Sequence, residues 1–321
     1  MVKEKRLTVI TTKYKKTLIA LVFIVLLYMI GEITVGGFVS VHSIMQMIKF
    51  ATYIALFALC QLLVICAGGD IDLSVGYVAT LVAVLSAHIL EGSNVQLWKG
   101  ILIAVAVGGC IGLINGLLVS YVKLPSLVVT MGMANVAQGI VNVYSAKYGV
   151  GGSPSPILRT ITTGSVGVVP NIIWLLLICT AIAMIIFYKT KIGVLLKSIG
   201  FNALASYRCG LKVKVIRTIA FVASGIIAGC IGLLLLGNLG QAFKDMASQY
   251  VMPSIAAVVV GGVSLNGGEG NYINVVLGAM VLQTLTNLFV SYGLGDAGKW
   301  LGIGAILLLM LIFYVREKMS R

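Results

Sequence analysis

Long apolar runs alternate with short polar segments along this chain. A helix that crosses a bilayer needs about 20 consecutive, mostly apolar residues, and runs of this length favour helices over strands. The pattern predicts an all-α polytopic membrane protein with about ten transmembrane helices. They are expected near residues 18–38, 44–67, 71–90, 101–122, 125–144, 171–188, 215–237, 250–263, 272–292 and 299–315.

Composition excludes several classes of protein. Of the 321 residues, 60% are hydrophobic and 10% are charged, whereas a soluble domain is roughly a quarter charged. A soluble enzyme, a disordered chain and a secreted disulfide scaffold are therefore excluded. Ten spans would use roughly 200 residues and leave about 120 for loops. Because that is too few for a soluble catalytic domain, we expect a protein that is not an enzyme.

The cysteines and histidines do not indicate a metal site. The six cysteines have no C-x-x-C spacing, and five of them lie inside apolar runs. This placement predicts small buried thiols rather than disulfides or metal ligands. His42 and His88 each stand alone.

Basic residues decide the predicted orientation. The net charge of +14 has two interpretations: a nucleic-acid or acidic-lipid partner, or the excess of Lys and Arg that marks cytoplasmic loops. Of the 23 basic residues, six lie within 1–16, seven within 189–217 and three within 316–321. Ten spans with an internal N-terminus place all three clusters in the cytoplasm. The distribution favours orientation, so we expect the lipid bilayer, and no nucleic acid, as a partner.

This orientation predicts the organisation of the chain. Residues 1–17 form a basic cytoplasmic N-terminus, and residues 18–315 form a single transmembrane domain that contains a cytoplasmic loop at 189–214. Residues 316–321 form a cytoplasmic tail. No small-x-small cleavage site follows the first apolar run, which predicts an uncleaved first span.

Two of the predicted spans are irregular. The 250–263 run is short and contains Pro253, which predicts a broken or re-entrant helix. The segment Gly69–Gly76 brings Asp70 and Asp72 to the start of the third span. These carboxylates have two interpretations: they cap and shape the start of a helix, or they serve as a proton relay or a substrate contact.

The segments 69–76 and 261–268 resemble each other, with identical residues at three of eight aligned positions. Paired, glycine-interrupted segments in two halves of a membrane protein point to a transport site.

Uncharged polar residues form stripes on three predicted helices. The spacing places the members of each stripe on one helix face. The stripe of the second span contains Gln46 and Tyr53, with Lys49 between them and Phe57 one turn further. The stripe of the fifth span contains Asn135, Gln138 and Asn142, and that of the ninth contains Gln283, Thr286 and Asn287. They have two interpretations: hydrogen bonds that join helices, or the lining of a hydrated path for a neutral polyhydroxylated solute.

Two other glycine-rich patterns are assigned to packing or to chance. Gly108, Gly112 and Gly116 are spaced for close helix contact, as are Gly225 and Gly229.

The segment 293–299 matches G-x-x-x-x-G-K, but Trp300 follows where a phosphate-binding loop needs Ser or Thr. We therefore expect no nucleotide site and no cofactor on this chain.

Three motifs, in order along the chain, resemble those of the permease subunit of ABC importers for simple sugars, the ribose and galactose type. The first, G-x-I-D-L-S-V-G, includes Asp72, Ser74 and Gly76. The second includes Pro125, Ser126, Thr130 and Gly132, and the third includes Gly261, Gly262, Ser264 and Gly268. The resemblance covers nearly the whole chain and implies the type II-like fold of that family.

The resemblance also implies that the 189–214 loop couples to an ATPase. The coupling residues that it implies are Gly200, Asn202, Ala203, Leu204, Ala205, Ser206 and Gly210. Ala203 stands where the family usually has Glu. A solvated basic loop is the alternative interpretation of this segment.

The resemblance implies a monosaccharide importer in a bacterial cytoplasmic membrane. The expected partners are a second copy of this chain, a cytoplasmic ABC ATPase that binds ATP and Mg²⁺, and an extracytoplasmic substrate-binding protein. The alternatives are the same machinery for a nucleoside, a furanosyl signal molecule or a branched-chain amino acid, and an ion-coupled carrier that works alone.

Overall fold

The structure, a computed structural model, describes residues 2–295, 297–298, 300–302 and 304–305. Most of the predicted 299–315 span and all of the 316–321 tail lie outside the described residues. The helices are α1 Val2–Thr34, α2 Val41–Gly68, α3 Val75–Leu90, α4 Leu97–Ser120, α5 Ser126–Tyr148, α6 Pro156–Thr163, α7 Asn171–Lys189, α8 Lys191–Phe201, α9 Ala203–Arg208, α10 Val213–Leu239, α11 Val251–Val260 and α12 Tyr272–Ser291. The strands β1 Ser165–Val166 and β2 Val169–Pro170 form one small antiparallel hairpin.

Among the described residues, seven helices are long and apolar enough to cross a membrane: α1 from Thr17, α2, α4, α5, α7, α10 and α12. The prediction of an all-α, multi-pass membrane protein is confirmed. The helices α3 and α11, with 16 and 10 residues, are shorter.

The short helix α11 occupies the 250–263 run, and a 3-10 turn at Ser248–Tyr250 precedes it. Pro253 is the third residue of α11. The first four N–H groups of a helix have no acceptor within that helix, so a proline costs no hydrogen bond there. Pro253 therefore lies in the first turn of the helix and does not break its middle.

Helix α2 forms the centre of the bundle. Every residue from 51 to 67 is buried, and α2 packs against α7, α8, α10, α11 and α12. A helix that is apolar on all sides is suited to such a position.

Glycines bring α4 and α10 into close contact, as their spacing predicts. A Cβ atom on Gly108 would overlap the carbonyl oxygen of Gly225, and a Cβ on Gly112 would overlap that of Phe221. The hydroxyl of Thr218 donates to the Gly116 carbonyl at 3.2 Å. The assignment of these glycines to packing is confirmed.

The loops gather at two opposite ends of the bundle. At the first, the hairpin end, Gly92 N donates to Ser153 O at 3.1 Å, and Gly151 forms a β-bridge with Ala242. At the second, the α9 end, Gly268 N donates to Cys66 O at 3.2 Å. The ten-span count places each of these groups of loops on one side of the membrane, so the arrangement agrees with the predicted alternation.

Helices α1 and α12 also agree with that alternation. Thr17 Oγ1 donates to Asn274 Oδ1 at 2.7 Å near one end of the pair, and the hydroxyls of Thr34 and Tyr292 lie 2.8 Å apart near the other. The two helices therefore run in the same direction, as expected for the first and ninth of ten spans.

Candidate functional site

The 189–214 loop contains the short helix α9. The side chain of Asn202 caps its first turn, because Oδ1 accepts from Ala205 N at 2.9 Å. The Ser206 hydroxyl donates to Ser198 O at 2.9 Å and so joins α9 to α8. Gly210 has a φ of +83°, a left-handed conformation that glycine adopts without strain, and it reverses the chain after the helix.

The outward face of α9, together with Phe201 at the end of α8, is apolar and uncovered. Phe201, Leu204 and Tyr207 are 63%, 61% and 70% exposed, and Ala203 and Ala205 are also exposed. Contiguous exposed apolar side chains mark interaction sites. We refer to Phe201, Leu204 and Tyr207 as the α9 knob.

Glycines join α9 to the two similar segments. Gly200, at the end of α8, contacts the Cys66 carbonyl and the Gly268 amide, and a Cβ there would overlap both. A Cβ on Gly69 would lie 2.7 Å from the Leu265 carbonyl oxygen, and a Cβ on Gly267 would lie 3.0 Å from Gly69 N. We call Gly69, Gly200, Gly267 and Gly268 the glycine junction. It connects the α2–α3 and α11–α12 links directly to the base of α9.

Asp70 forms an ion pair with Arg217 of α10. Arg217 Nε donates to Asp70 Oδ2, and Arg217 Nη2 donates to Asp70 Oδ1, each at 2.5 Å. The Asp70 side chain is 7% exposed and the Arg217 side chain is 29% exposed. This two-bond geometry is the strong form of a carboxylate–arginine contact. Sequence reasoning counted Arg217 only as part of a basic cluster and missed its partner.

Asp72 shapes the turn that leads into α3. Its Oδ1 accepts from Ser74 N at 2.9 Å and from Ser74 Oγ at 2.6 Å, and its Oδ2 accepts from Ser224 Oγ at 3.3 Å. Ser74 is the N-cap residue, and its own side chain makes no cap bond. The Asp72 carboxylate therefore fixes the turn just before α3, which supports the interpretation that it shapes the start of the helix.

The link between α2 and α3 runs back along α2. Gln61 Nε2 donates to Asp72 O at 2.7 Å, and Gln61 Oε1 accepts from Asp72 N at 3.1 Å. Gln61 lies seven residues before the end of α2 at Gly68, so Asp72 lies about 10 Å inside that end. Irregular backbone at such depth requires protein partners, and the Gln61 amide supplies both of them.

Sequence reasoning also missed Gln61, Asn115 and Ser224. Asn115 Nδ2 donates to Ser74 Oγ at 3.0 Å, and all three residues are fully buried. The available signal was that each is a polar residue isolated in an apolar run.

The second motif begins α5 and supports the same link. Pro125 is the N-cap residue of α5. Thr130 Oγ1 donates to Ser126 O at 2.9 Å and accepts from Leu73 N at 3.1 Å. Gly132 is exposed and has open space around it.

The remaining motif glycines mark close backbone contacts. A Cβ on Gly76 would lie 2.6 Å from Ala247 O, and one on Gly261 would lie 2.8 Å from Asn274 O. Gly262 has a φ of +72°, and Ser264 N donates to Glu269 O at 3.3 Å. These contacts position the α3 start and the α11–α12 link.

The residues predicted to line a path differ in their surroundings. Tyr53 and Phe57 are fully buried, and their rings pack against Tyr250 at centroid distances of 6.1 and 5.6 Å. Gln283 Nε2 donates to Asn287 Oδ1 of the same helix at 2.8 Å, and both residues are half-buried.

The α5 stripe faces outward. Asn135 and Asn142 are exposed, and Gln138 is half-buried and donates to Asp245 Oδ1 at 3.1 Å. Exposed amides are unfavourable against lipid tails. This face of α5 is therefore suited to protein or water rather than lipid.

Among the described residues, no group of three or more His, Cys, Asp or Glu side chains is placed to hold a metal ion.

The chain matches the family model described as the permease component of a branched-chain amino acid transport system over residues 43–315. It is 29% identical to the ribose import permease protein RbsC of Haemophilus influenzae over 83% of each chain. It is 26% identical to RbsC of Escherichia coli K12 over 95% of this chain and 94% of the relative. It is 30% identical to the autoinducer 2 import system permease protein LsrC of Photorhabdus laumondii over 84% and 82%, respectively. No solved structure gives a significant match.

Proposed function

Because this chain belongs to the family of branched-chain amino acid transport system permease components, we propose that it is the membrane-spanning permease subunit of an ATP-driven importer of a monosaccharide. The observation that carries the proposal is the α9 knob, an uncovered apolar surface on a capped helix. The glycine junction links that knob to both motif segments. A displacement applied to α9 therefore reaches the core of the bundle through direct backbone contacts.

The relatives support the choice of solute. Two are named as ribose import permeases and one as an autoinducer 2 import permease. We propose a ribose-like pentose or a hexose as the solute, and the autoinducer 2 relative favours a small signal molecule as the second candidate. A nucleoside or a branched-chain amino acid is a less favoured candidate solute for the same kind of importer.

We propose that the path and the second copy of the chain both involve α5. Its exposed amides at Asn135 and Asn142 need water or protein in place of lipid. A homodimer that meets along this face provides both. Tyr53 and Phe57 of α2 and Gln283 and Asn287 of α12 lie on other helices, and their place along the path stays a prediction.

We propose that the α9 end faces the cytoplasm of a bacterial cell and that the protein lies in its cytoplasmic membrane. The basic clusters at 1–16 and 189–217 support this orientation. ATP and Mg²⁺ then bind to a separate cytoplasmic ATPase, and this subunit performs transport without catalysis of its own. An extracytoplasmic binding protein delivers the solute at the hairpin end.

The test is uptake of labelled ribose by liposomes that contain this chain, its ATPase and its binding protein. We expect uptake that requires ATP and all three components. Leu204→Asp with Tyr207→Asp should abolish ATPase association, while Val166→Asp, an equally exposed apolar position at the hairpin end, should leave it intact. Uptake by this chain alone under a proton or sodium gradient would show an ion-coupled carrier instead.

A further inference from the structure

A cleft of about 810 Å³ opens beside α9 at the α9 end of the bundle. Its lining comes from α9, from the end of α4 through the link to the start of α5, from the beginning of α10, and from Asp70 in the link between α2 and α3. Its lining includes Ala203, Leu204, Tyr207, Lys123, Lys214 and Arg217. We call this space the α9 cleft.

The α9 cleft is positively charged. Lys123, Lys214 and Arg217 are its basic lining residues, and Asp70 is its acidic one. Both carboxylate oxygens of Asp70 already accept hydrogen bonds from Arg217. Two positive charges, on Lys123 and Lys214, are therefore not balanced by any acidic lining residue.

The two lysines are set in place by their local structure. The ammonium group of Lys214 lies 5.2 Å from the centroid of the Tyr121 ring, within the range of a cation–π contact. Lys123 has a φ of +64°, which turns the chain between α4 and α5. A non-glycine residue rarely adopts this conformation. The turn therefore places Lys123 at the cleft although its backbone favours a negative φ.

Helix α9 contributes no charge to the cleft. Its lining residues are Ala203, Leu204 and Tyr207, and the last two belong to the α9 knob. A partner that covers the knob must also close the cleft, because the same side chains form both surfaces. Closure removes water from the lysines, and two desolvated ammonium groups then require anionic partners.

We propose that the α9 cleft receives one or two acidic side chains, Asp or Glu, of the ATPase partner, which pair with Lys123 and Lys214 when the ATPase covers the α9 knob. This inference rests on the proposed function. A phospholipid headgroup offers a similar negative charge. It would leave Leu204 and Tyr207 uncovered, so the shared surface favours the ATPase.

The experiment measures association of the full-length chain in nanodiscs with its ATPase at low and at high salt. We compare the natural chain with the variant Lys123→Glu/Lys214→Glu. The control variant is Lys99→Glu/Lys147→Glu, which makes the same charge change at two lysines outside the cleft; these lie over the rings of Trp98 and Tyr148, as Lys214 lies over that of Tyr121.

We expect the cleft variant to weaken association about tenfold or more at low salt and to reverse the salt dependence, because its glutamates repel the acidic side chains of the ATPase and salt screens that repulsion. The affinity of the milder variant Lys123→Gln/Lys214→Gln should fall between those of the natural chain and the cleft variant. The control should match the natural chain. An ATPase in which a docking-face Asp or Glu is replaced by Lys should bind the cleft variant better than it binds the natural chain. Thermal unfolding identifies any variant that fails to fold, and the Gln variant then supplies the comparison.

Three outcomes would overturn the inference. Equal affinity and equal salt dependence for the natural chain and the cleft variants would remove the lysines from the contact. A defect that occurs in nanodiscs of anionic lipid and disappears in those of zwitterionic lipid would assign the cleft to a lipid headgroup. A natural chain that binds no ATPase at all would reject the proposed function itself, a result distinct from the first two.

Discussion

Asp70 and Arg217 lie 147 residues apart in the sequence and share two hydrogen bonds between their side chains. Their ion pair ties the link between α2 and α3 to the first turns of α10. Gly68 makes room for the pair, since a Cβ there would lie 2.8 Å from Arg217 Nε. The pair therefore fixes one wall of the α9 cleft to the centre of the bundle.

Removing either partner of this pair should destabilise the protein. Asp70→Asn and Arg217→Gln should each lower the free energy of unfolding by about 2 kcal/mol, the usual scale for a hydrogen bond to a charged group. The loss should be partly shared, so a double-mutant cycle should give a coupling energy of about 1 kcal/mol or more. Denaturation of the purified protein in detergent measures all four forms.

Glu91→Gln is the control, because Glu91 is an exposed acid at the hairpin end and should change stability little. Strictly additive effects of Asp70→Asn and Arg217→Gln would contradict the pairing.

Gln61→Leu changes the side-chain volume little but should lower the stability of the protein. It leaves the amide and the carbonyl of Asp72 without the partners they have in the Gln61 side chain. We expect a loss of about 2 kcal/mol and faster proteolysis at the link between α2 and α3. Gln46→Leu, at a half-buried position on the same helix, is the matched substitution. If the two variants unfold at the same temperature, Gln61 does not support the link.

Gly200→Ala should disrupt the glycine junction. The new methyl group would overlap the Cys66 carbonyl and the Gly268 amide, and overpacking of this kind costs about 1–3 kcal/mol. We expect lower thermal stability together with loss of ATP-dependent uptake. Gly210→Ala lies in the same loop, where the space around Gly210 is open. It should cost about 1 kcal/mol from its left-handed conformation. A milder effect at position 200 than at position 210 would refute the junction.

Cys209 reports the orientation of the α9 end. It is exposed, whereas Cys60 and Cys66 are buried. A membrane-impermeant maleimide should label it in inside-out vesicles and leave it unlabelled in intact cells. Cys209→Ser should remove that signal, which separates it from any reaction at Cys110, exposed on α4. Labelling of Cys209 in intact cells would reverse the proposed orientation.

Apolar runs predicted the helices well because span length depends on local sequence alone. They did not predict which helix is central. Helices α1 and α2 have the same mean hydropathy in their most apolar windows, yet α2 is nearly all buried and α1 is mostly exposed. In a membrane the surrounding lipid is as apolar as the protein interior, so composition does not separate the two positions.

The candidate site was predicted only where its signal is local. Asn202 and Gly210 were named from a motif within one loop, and their roles as cap and chain reversal, which the sequence analysis did not assign, depend only on neighbouring residues. The pairing of Asp70 with Arg217 and the contact of Gly200 with Gly268 join distant segments. Such contacts depend on how the helices pack, which the pattern along one helix does not determine.

The burial of α2 has a consequence for how the protein is made. During synthesis α2 leaves the ribosome long before α7, α10, α11 and α12, the helices that later enclose it. Until they arrive, its whole circumference faces the hydrocarbon of the bilayer. Its apolar surface on every side is compatible with that surrounding. The side-chain amide of Gln61 gains its hydrogen-bond partner, the Asp72 carbonyl, only when the following link folds back beside it. The order of translation thus accounts for the apolar composition of α2 on all sides, although α2 is the innermost helix of the folded molecule.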